Sequence, residues 1–385
     1  MSAVKPVPGA GTAVDYDPFA EGALARVVPT TEPQREIWLA DQLGRDASLA
    51  FNESVTMRLK GPLDADALRA ALQGLLDRHG ALRANLGPEG DTLCMLDDVQ
   101  LELPTFDYAM LGESGRDAAV AERLRLAVET PFALQHDRLF RAELLRLGHD
   151  DHLLLLTAHH IVCDGWSWWV LTRELAALYA QRLGNAANLA PADDFADYAL
   201  AEATRHADAG FATDEAYWLS RFSNGTPVLD LPTDRPRPAR RGFASAREDD
   251  VLDAELVAAI RKMGARRGVS LFATLLASFA ALLSRLSSQS QVVVGIPAAG
   301  QSVDGHDHLV GHCVNTLPLL FDLDPAQPVA TAIDDAQLTL LDALDHQRYT
   351  FGTLLRKLKV ARDPSRLPLI RVMFNIDQAL DHEHA

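Results

Sequence analysis

The stretch Leu153–Trp169, LLLLTAHHIVCDGWSWW, places His159, His160, Cys163, Asp164 and Gly165 directly after four leucines. Imidazoles titrate near neutral pH and are the commonest general acids and bases. Four consecutive leucines suit a strand buried on both faces, and polar residues at the end of such a strand emerge at a rim. Neighbours in extended backbone point in opposite directions, so one histidine can face a cleft while the other packs inward. Gly165 has no Cβ and lets backbone or ligand approach closely. A buried Asp164 needs a cation or backbone amides, and arginine is the usual partner. Other chemistries fit less well. Adjacent histidines diverge, and Cys163 adds no recognised metal-ligand spacing. No GxSxG elbow occurs, so Ser167 lacks the setting of a serine nucleophile. Trp166, Trp168 and Trp169 read as core and interface packing.

The flanking pattern supplies elements to carry these residues. FRAELLRLG and DHLLLLTAHH read as two strands joined by a turn at Gly148–Asp150, and WSWWVLTRELAALYAQRL as the next helix. Upstream, TEPQREIWLADQL reads as a helix with Pro33 near its start. VTMRLKG alternates like a strand. Asp64 caps a helix on which Leu68, Leu72, Leu75 and Leu76 share a face. A segment with four prolines, NGTPVLDLPTDRPRPARRG (224–242), separates the halves. Beyond it come helices at 253–268 and 270–287, a β-branched strand at QVVVGIPAAGQ, a strand at NTLPLLFDL, a helix over 328–347 and a strand near LIRVMFNID.

A length of 385 residues predicts two domains or lobes. We expect a tail over 1–28, an N-terminal lobe over 29–200, an inter-lobe segment over 201–245 and a C-terminal lobe over 246–385. A net charge of −17 argues against a nucleic-acid partner, which needs a basic footprint. Three scattered cysteines give neither a disulfide framework nor a CxxC pair, and fit a reducing compartment. No signal core or spanning apolar run is visible, so the expected location is the cytoplasm, with no membrane partner. The sequons at Asn52 and Asn224 read as coincidence.

HHIVCDGWS resembles the HHxxxDG signature of nonribosomal peptide synthetase condensation domains, and further matches follow in family order. TEPQREIWLA resembles SxAQxRxWxL through Gln34 and Trp38, with Glu36 in place of arginine. RHGALRANL resembles RHExLRTxF through Arg78, His79, Leu82 and Arg83. DFADYA resembles YxDYA. AYWLSRF and LPTDRPRP resemble the stretch between lobes. VVVGIPAAGQ resembles a strand-turn in which arginine is common where Gln301 stands. LVGHCVNTLPL resembles GxFVNT through Gly311, Val314, Asn315 and Thr316. HQRYTFG resembles HQDYPFE, with Arg348, Thr350 and Gly352 off-pattern, and RDPSRLPLIRVMFN resembles RDxSRxPL. DYDPFAEGALARVVPTT resembles the linker that precedes such a domain within a megasynthase. The family's second lobe runs on for several tens of residues past the last motif, so the C-terminal lobe is expected to be incomplete.

The resemblance implies an α/β (α+β) fold: two chloramphenicol-acetyltransferase-like lobes in a pseudo-dimeric V, with the active site at their interface. It implies an acyltransferase that joins a carrier-bound amine to a carrier-bound acyl, peptidyl or polyketide thioester. The chain would bind no cofactor and no metal. Phosphopantetheine arms would come with donor and acceptor carrier proteins, and neighbouring synthetase domains would be further partners. His160 would face the tunnel as base or as positioning group. His159 would be packed, Asp164 would hold the loop, and Gly165 would leave room for an arm. Asn315 and Ser167 are candidates for the tunnel or second lobe. The alternatives are a non-catalytic recruiting domain, a starter-type N-acyltransferase using acyl-CoA, and a free-standing acyltransferase.

Overall fold

The structure, a computed structural model, describes residues 24–303, 305–360 and 363–377. Its first half runs β1 (Leu24–Pro29), α1 (Glu32–Asp41), α2 (Arg45–Leu49), β2 (Asn52–Lys60), α3 (Ala65–Arg78), β3 (Ala84–Leu86), β4 (Thr92–Leu96), β5 (Thr105–Asp107), α4 (Glu113–Glu129), β6 (Phe140–Arg146), β7 (Asp151–His159), α5 (Gly165–Arg182) and α6 (Phe195–Thr204). The second half runs α7 (Ala209–Arg221), α8 (Ala254–Ala265), α9 (Leu271–Ser287), β8 (Gln291–Ala299), β9 (Val314–Asp322), α10 (Val329–Asp345) and α11 (Phe351–Lys357).

The leucine-rich strand β7 is central because both its faces are apolar. It lies between β2 and β6, both antiparallel to it, in a sheet of order β2-β7-β6-β5. Helices α3 and α5 cover one face, and Leu72, Leu75, Leu154, Leu156 and Leu171 meet in that core. Asp64 caps α3 as its type predicts, accepting the Asp66 and Ala67 amides at 3.0 and 2.9 Å. A small sheet of order β1-β4-β3 packs beside it. In the second half β8 and β9 pair over nine residues and bury Val292, Val294, Leu317 and Leu319 against α9 and α10.

Sequence and structure part in three places. Leu24–Pro29, expected in the tail, is a strand paired with β4, and Arg26 bonds Asp194 and Asp197 across the fold. The tail's other residues, 1–23, lie outside the described residues. Trp218 and Phe222, within the expected inter-lobe segment, belong to the core of the second half, because α7 buries that face against β9 and α11. The strand expected near Leu369 is reduced to one bridge, Gly295 to Met373. Leu369 sits at φ +62°, which turns the chain away before a ladder can form.

The segment between β8 and β9 crosses back. Leu309, Val310 and Cys313 are buried in cores built mainly from the first half. This crossing brings second-half residues to the end of β7.

Candidate active site

β7 ends at His159, and the two histidines diverge there. His159 is fully buried, with the rings of Phe51 and Phe132 about it. Its Nδ1 accepts the Ile161 amide at 3.3 Å, which places the proton on Nε2, 4.0 Å from Asp41 Oδ1. Burial, helped by the neighbouring His160, pushes its pKa down to about 3, so the ring is neutral at ordinary pH. His160 turns the other way and keeps a quarter of its side chain exposed (25%). Its Nδ1–H donates to the Cys163 carbonyl at 2.9 Å and stands 3.0 Å from Glu53 Oε1. Nε2 is then the nitrogen with the lone pair, and no described residue donates to it. Burial lowers the His160 pKa, but Glu53, the Cys163 carbonyl and the Asp164 charge outweigh it, and the net direction is up.

Asp164 is the hub of the loop. It caps α5, with Oδ1 accepting the Ser167 amide at 2.9 Å and the Ser167 hydroxyl at 2.8 Å. Oδ2 accepts from Gln301 Nε2 at 2.9 Å and the Cys313 amide at 3.0 Å. The arginine partner expected from chemistry alone is not there: these four donors are neutral, and Gln301 stands where the resembling pattern favours arginine. Gly165 begins α5, is exposed, and has nothing within 4 Å of the place a Cβ would take.

Ser167 and Asn315 are both buried and hydrogen-bonded. Ser167 is fully buried, and its hydroxyl also accepts the Gly311 amide at 3.0 Å. The Asn315 side chain donates to the Gln347 and Tyr349 carbonyls and accepts the Thr316 and Phe351 amides. Both spend their polar atoms on the fold, Ser167 at the head of α5 and Asn315 on β9 of the second half.

The other motif residues act on the loop in the same way. Gln34 completes a capping box with Thr31 and donates to the Ile161 carbonyl at 2.9 Å, just past His160. Arg78 and His79 converge on buried Glu174 of α5, at 2.8 and 2.9 Å. Burial would raise the Glu174 pKa, but His79 and Arg78 hold it down at about 2. Gly311 is required by space: a Cβ there would run into the Phe195 ring.

Two neighbours of His160 escaped the sequence reading. Glu53 comes from β2, which begins at Asn52, before the stretch whose alternation reads as a strand, and its register against β7 is invisible before folding. His312 comes from the crossing segment. It is buried, and its ring lies T-shaped against His160 at 4.6 Å between centroids. Burial, with His160 and His159 nearby, holds its pKa well below the usual value, and its Nδ1 has no partner among the described residues.

The family model described as "Condensation domain" matches residues 24–385. The chain belongs to the condensation-domain family. It is 33% identical over 359 residues to tyrocidine synthase 2 of Brevibacillus parabrevis, covering 93% of this chain and 10% of that protein. It is 35% identical over 383 residues to phosphinothricin tripeptide synthetase PhsC of Streptomyces viridochromogenes, covering 97% of this chain and 34% of that protein. The chain thus spans between a tenth and a third of the length of these relatives. Among solved structures, the first condensation domain of the CDA synthetase matches with a TM-score of 0.75 at 25% identity, over 88% of this chain and 79% of that one. The X-domain in complex with OxyB from teicoplanin biosynthesis matches with a TM-score of 0.76 at 28% identity, over 94% of this chain and 81% of that chain. Among the described residues no helix is long and apolar enough to cross a membrane, and no group of His, Cys, Asp and Glu is arranged to hold a metal ion.

Proposed function

We propose that this condensation domain forms an amide bond between two carrier-borne substrates, with His160 at the reacting atoms. The observation that carries the reading is the His160 ring. Its Nδ1 is fixed by the Cys163 carbonyl at 2.9 Å, its Nε2 is left unpartnered, and exposed Gly165 begins the next helix beside it. An amine on one phosphopantetheine arm attacks the thioester carbon on the other, the C–N bond forms, and the C–S bond breaks to release a thiol. An α-amine has a pKa near about 8, so a fraction is already neutral at pH 7. His160 Nε2 needs only to accept the proton that this nitrogen sheds on bonding. Such transfer is worth roughly 10²–10⁴ in rate, and holding both arms in register adds to it. In this reading the two halves form the V-shaped pair of lobes, donor and acceptor carriers dock at opposite openings, and neighbouring synthetase domains flank the chain.

The test mixes the chain with an acyl-loaded donor carrier and an aminoacyl-loaded acceptor carrier, and follows the acceptor by intact-mass spectrometry. Product from the wild type and none from His160→Ala is the expected result. The likeness to the X-domain, which was solved bound to OxyB, favours a second reading in which the chain recruits a partner enzyme. A folded wild type that yields no product across a panel of donors would move the conclusion there.

A further inference from the structure

Glu53 lies on β2, one strand over from the histidines. The antiparallel register sets it opposite Ala158. Its carboxylate spans two partners: Oε2 accepts the Trp168 Nε1–H at 3.0 Å, and Oε1 lies 3.0 Å from His160 Nδ1. The ionisable groups facing His160 are Glu53 on β2, His159 on β7, Asp164 at the head of α5 and His312 on the segment before β9. His159 and His312 are buried and neutral. Asp164 is engaged by four donors that do not include His160. Among the described residues, Glu53 is the one carboxylate in contact with the His160 ring.

We propose that Glu53 is a positioning residue that makes His160 a general base. The proposal rests on the amide-forming reading above and deepens it. Glu53 and the Cys163 carbonyl together keep the proton on Nδ1 and the lone pair on Nε2, and the Trp168 hydrogen bond keeps the carboxylate from swinging away. As the amine nitrogen bonds to the thioester carbon, its proton passes to Nε2. The imidazolium so formed stands 3.0 Å from the Glu53 carboxylate, and the neutral His312 ring beside it adds no opposing charge. The proton then leaves Nε2 for the thiolate sulfur as the C–S bond breaks, and the pair returns to its starting state. A carboxylate behind an imidazole fixes the tautomer and steadies the charged ring in this manner elsewhere.

The decisive variant is Glu53→Gln in a Trp168→Phe background, compared with Trp168→Phe alone. The amide oxygen can keep its place beside Nδ1, and with the indole N–H gone the amide nitrogen meets no competing donor, so charge is the main thing removed. His160 is followed by NMR with labelled histidine, its signal assigned by its loss in His160→Ala. Removing the anion disfavours the imidazolium, so the His160 pKa falls and the acid limb of kcat/KM moves the same way. We expect kcat to drop about 10–100-fold, within the range of general-base effects, with KM for both carriers nearly unchanged. A His160 pKa that stays in place or rises overturns the proposal. So does a wild-type ¹⁵N shift that puts the neutral-state proton on Nε2, a measurement that stands even where the variant fails to fold. No product from the wild type with the NMR coupling intact would overturn the amide-forming reading and leave the Glu53–His160 pair standing.

Discussion

Asp164→Ala should cost this protein stability first, whatever it does to the chemistry. The carboxylate takes four hydrogen bonds at 2.8–3.0 Å and is fully buried. Its removal does not strand all four donors. The Ser167 hydroxyl can turn to the Gly311 carbonyl, already 2.9 Å away. The Ser167 amide loses a helix cap, worth about 1 kcal/mol. Gln301 Nε2 and the Cys313 amide are left in a dry place, at about 1–3 kcal/mol each. The expected loss is about 3–7 kcal/mol, toward the low end where water fills the gap. Asp164→Asn offers an internal control. Gln301 Oε1 is buried without a partner, so a flip of the Gln301 amide lets it accept from the new Asn nitrogen. Asparagine also remains a good cap. The Cys313 amide is then the main orphan, and the loss shrinks to about 1–3 kcal/mol. Urea denaturation of the three proteins reads both values. An Asp164→Ala chain within about 1 kcal/mol of wild type would refute the reasoning. If that chain were also inactive, Asp164 would belong to the chemistry and not to the loop.

Other outcomes follow from the same geometry. His159→Ala should cost about 2–4 kcal/mol by leaving a cavity between Phe51 and Phe132, with turnover lost only as stability is lost; native stability with no turnover would transfer the chemical role to His159. Gly165→Val should melt within about 1 kcal/mol of wild type, since nothing lies within 4 Å of its Cβ, yet lower kcat at least about tenfold if an arm passes there; unchanged turnover would place the arm elsewhere. Glu36 has a pKa pushed up to about 7, chiefly by burial. The folded state therefore holds the Glu36 proton more tightly than the unfolded chain does. Its contribution to stability is full below the usual carboxylate pKa and is lost as pH rises toward 7 and past it. Glu36→Gln should flatten that slope and be the more stable chain at pH 8 by equilibrium denaturation; a less stable variant there would refute the assignment.

What was legible in the sequence was local. The β6–β7 hairpin, the Asp64 cap and the leucine stripe of α3 follow from period and residue type, and each forms as read. The histidine loop was legible because its residues lie within seven positions of one another. The missed features depend on distant pairing. Helix α4 is solvated, with Ala127 its one buried residue, and so shows no apolar stripe. The short strands β1, β3 and β4 exist only as a set. Glu53 reaches His160 through a register between β2 and β7, and Gln301 reaches Asp164 across 137 positions. Chemistry said that Asp164 needs partners. It named backbone amides as well as a cation, but could not say that the neutral set would be the one used, or that Gln301 and the Cys313 amide would come from the second half.

The departures from the family pattern carry more when read in pairs. Glu36 stands where the pattern has arginine, and Gly352 where it has glutamate. Singly, each is a lost match. In the fold they touch: the Gly352 amide donates to Glu36 Oε1 at 2.7 Å, where α1 meets α11. Glu32 and Arg356 form an ion pair in the same contact. A Cβ at position 352 would lie 2.5 Å from Glu36 Oε1 and 2.7 Å from Glu32 Oε1, so a glutamate there would push both carboxylates aside and add a third like charge. The pattern has a cation at one of these places and an anion at the other; this chain sets an anion against bare backbone. The two changes are therefore one change of contact between the halves, and neither bears on the His160 ring. The departure that does bear on it is Gln301 at the arginine position. With no guanidinium at Asp164, no described cation from that side offsets the carboxylates about His160. Glu53 and Asp164 are left to favour its charged form, as a base that must carry a proton through the reaction requires.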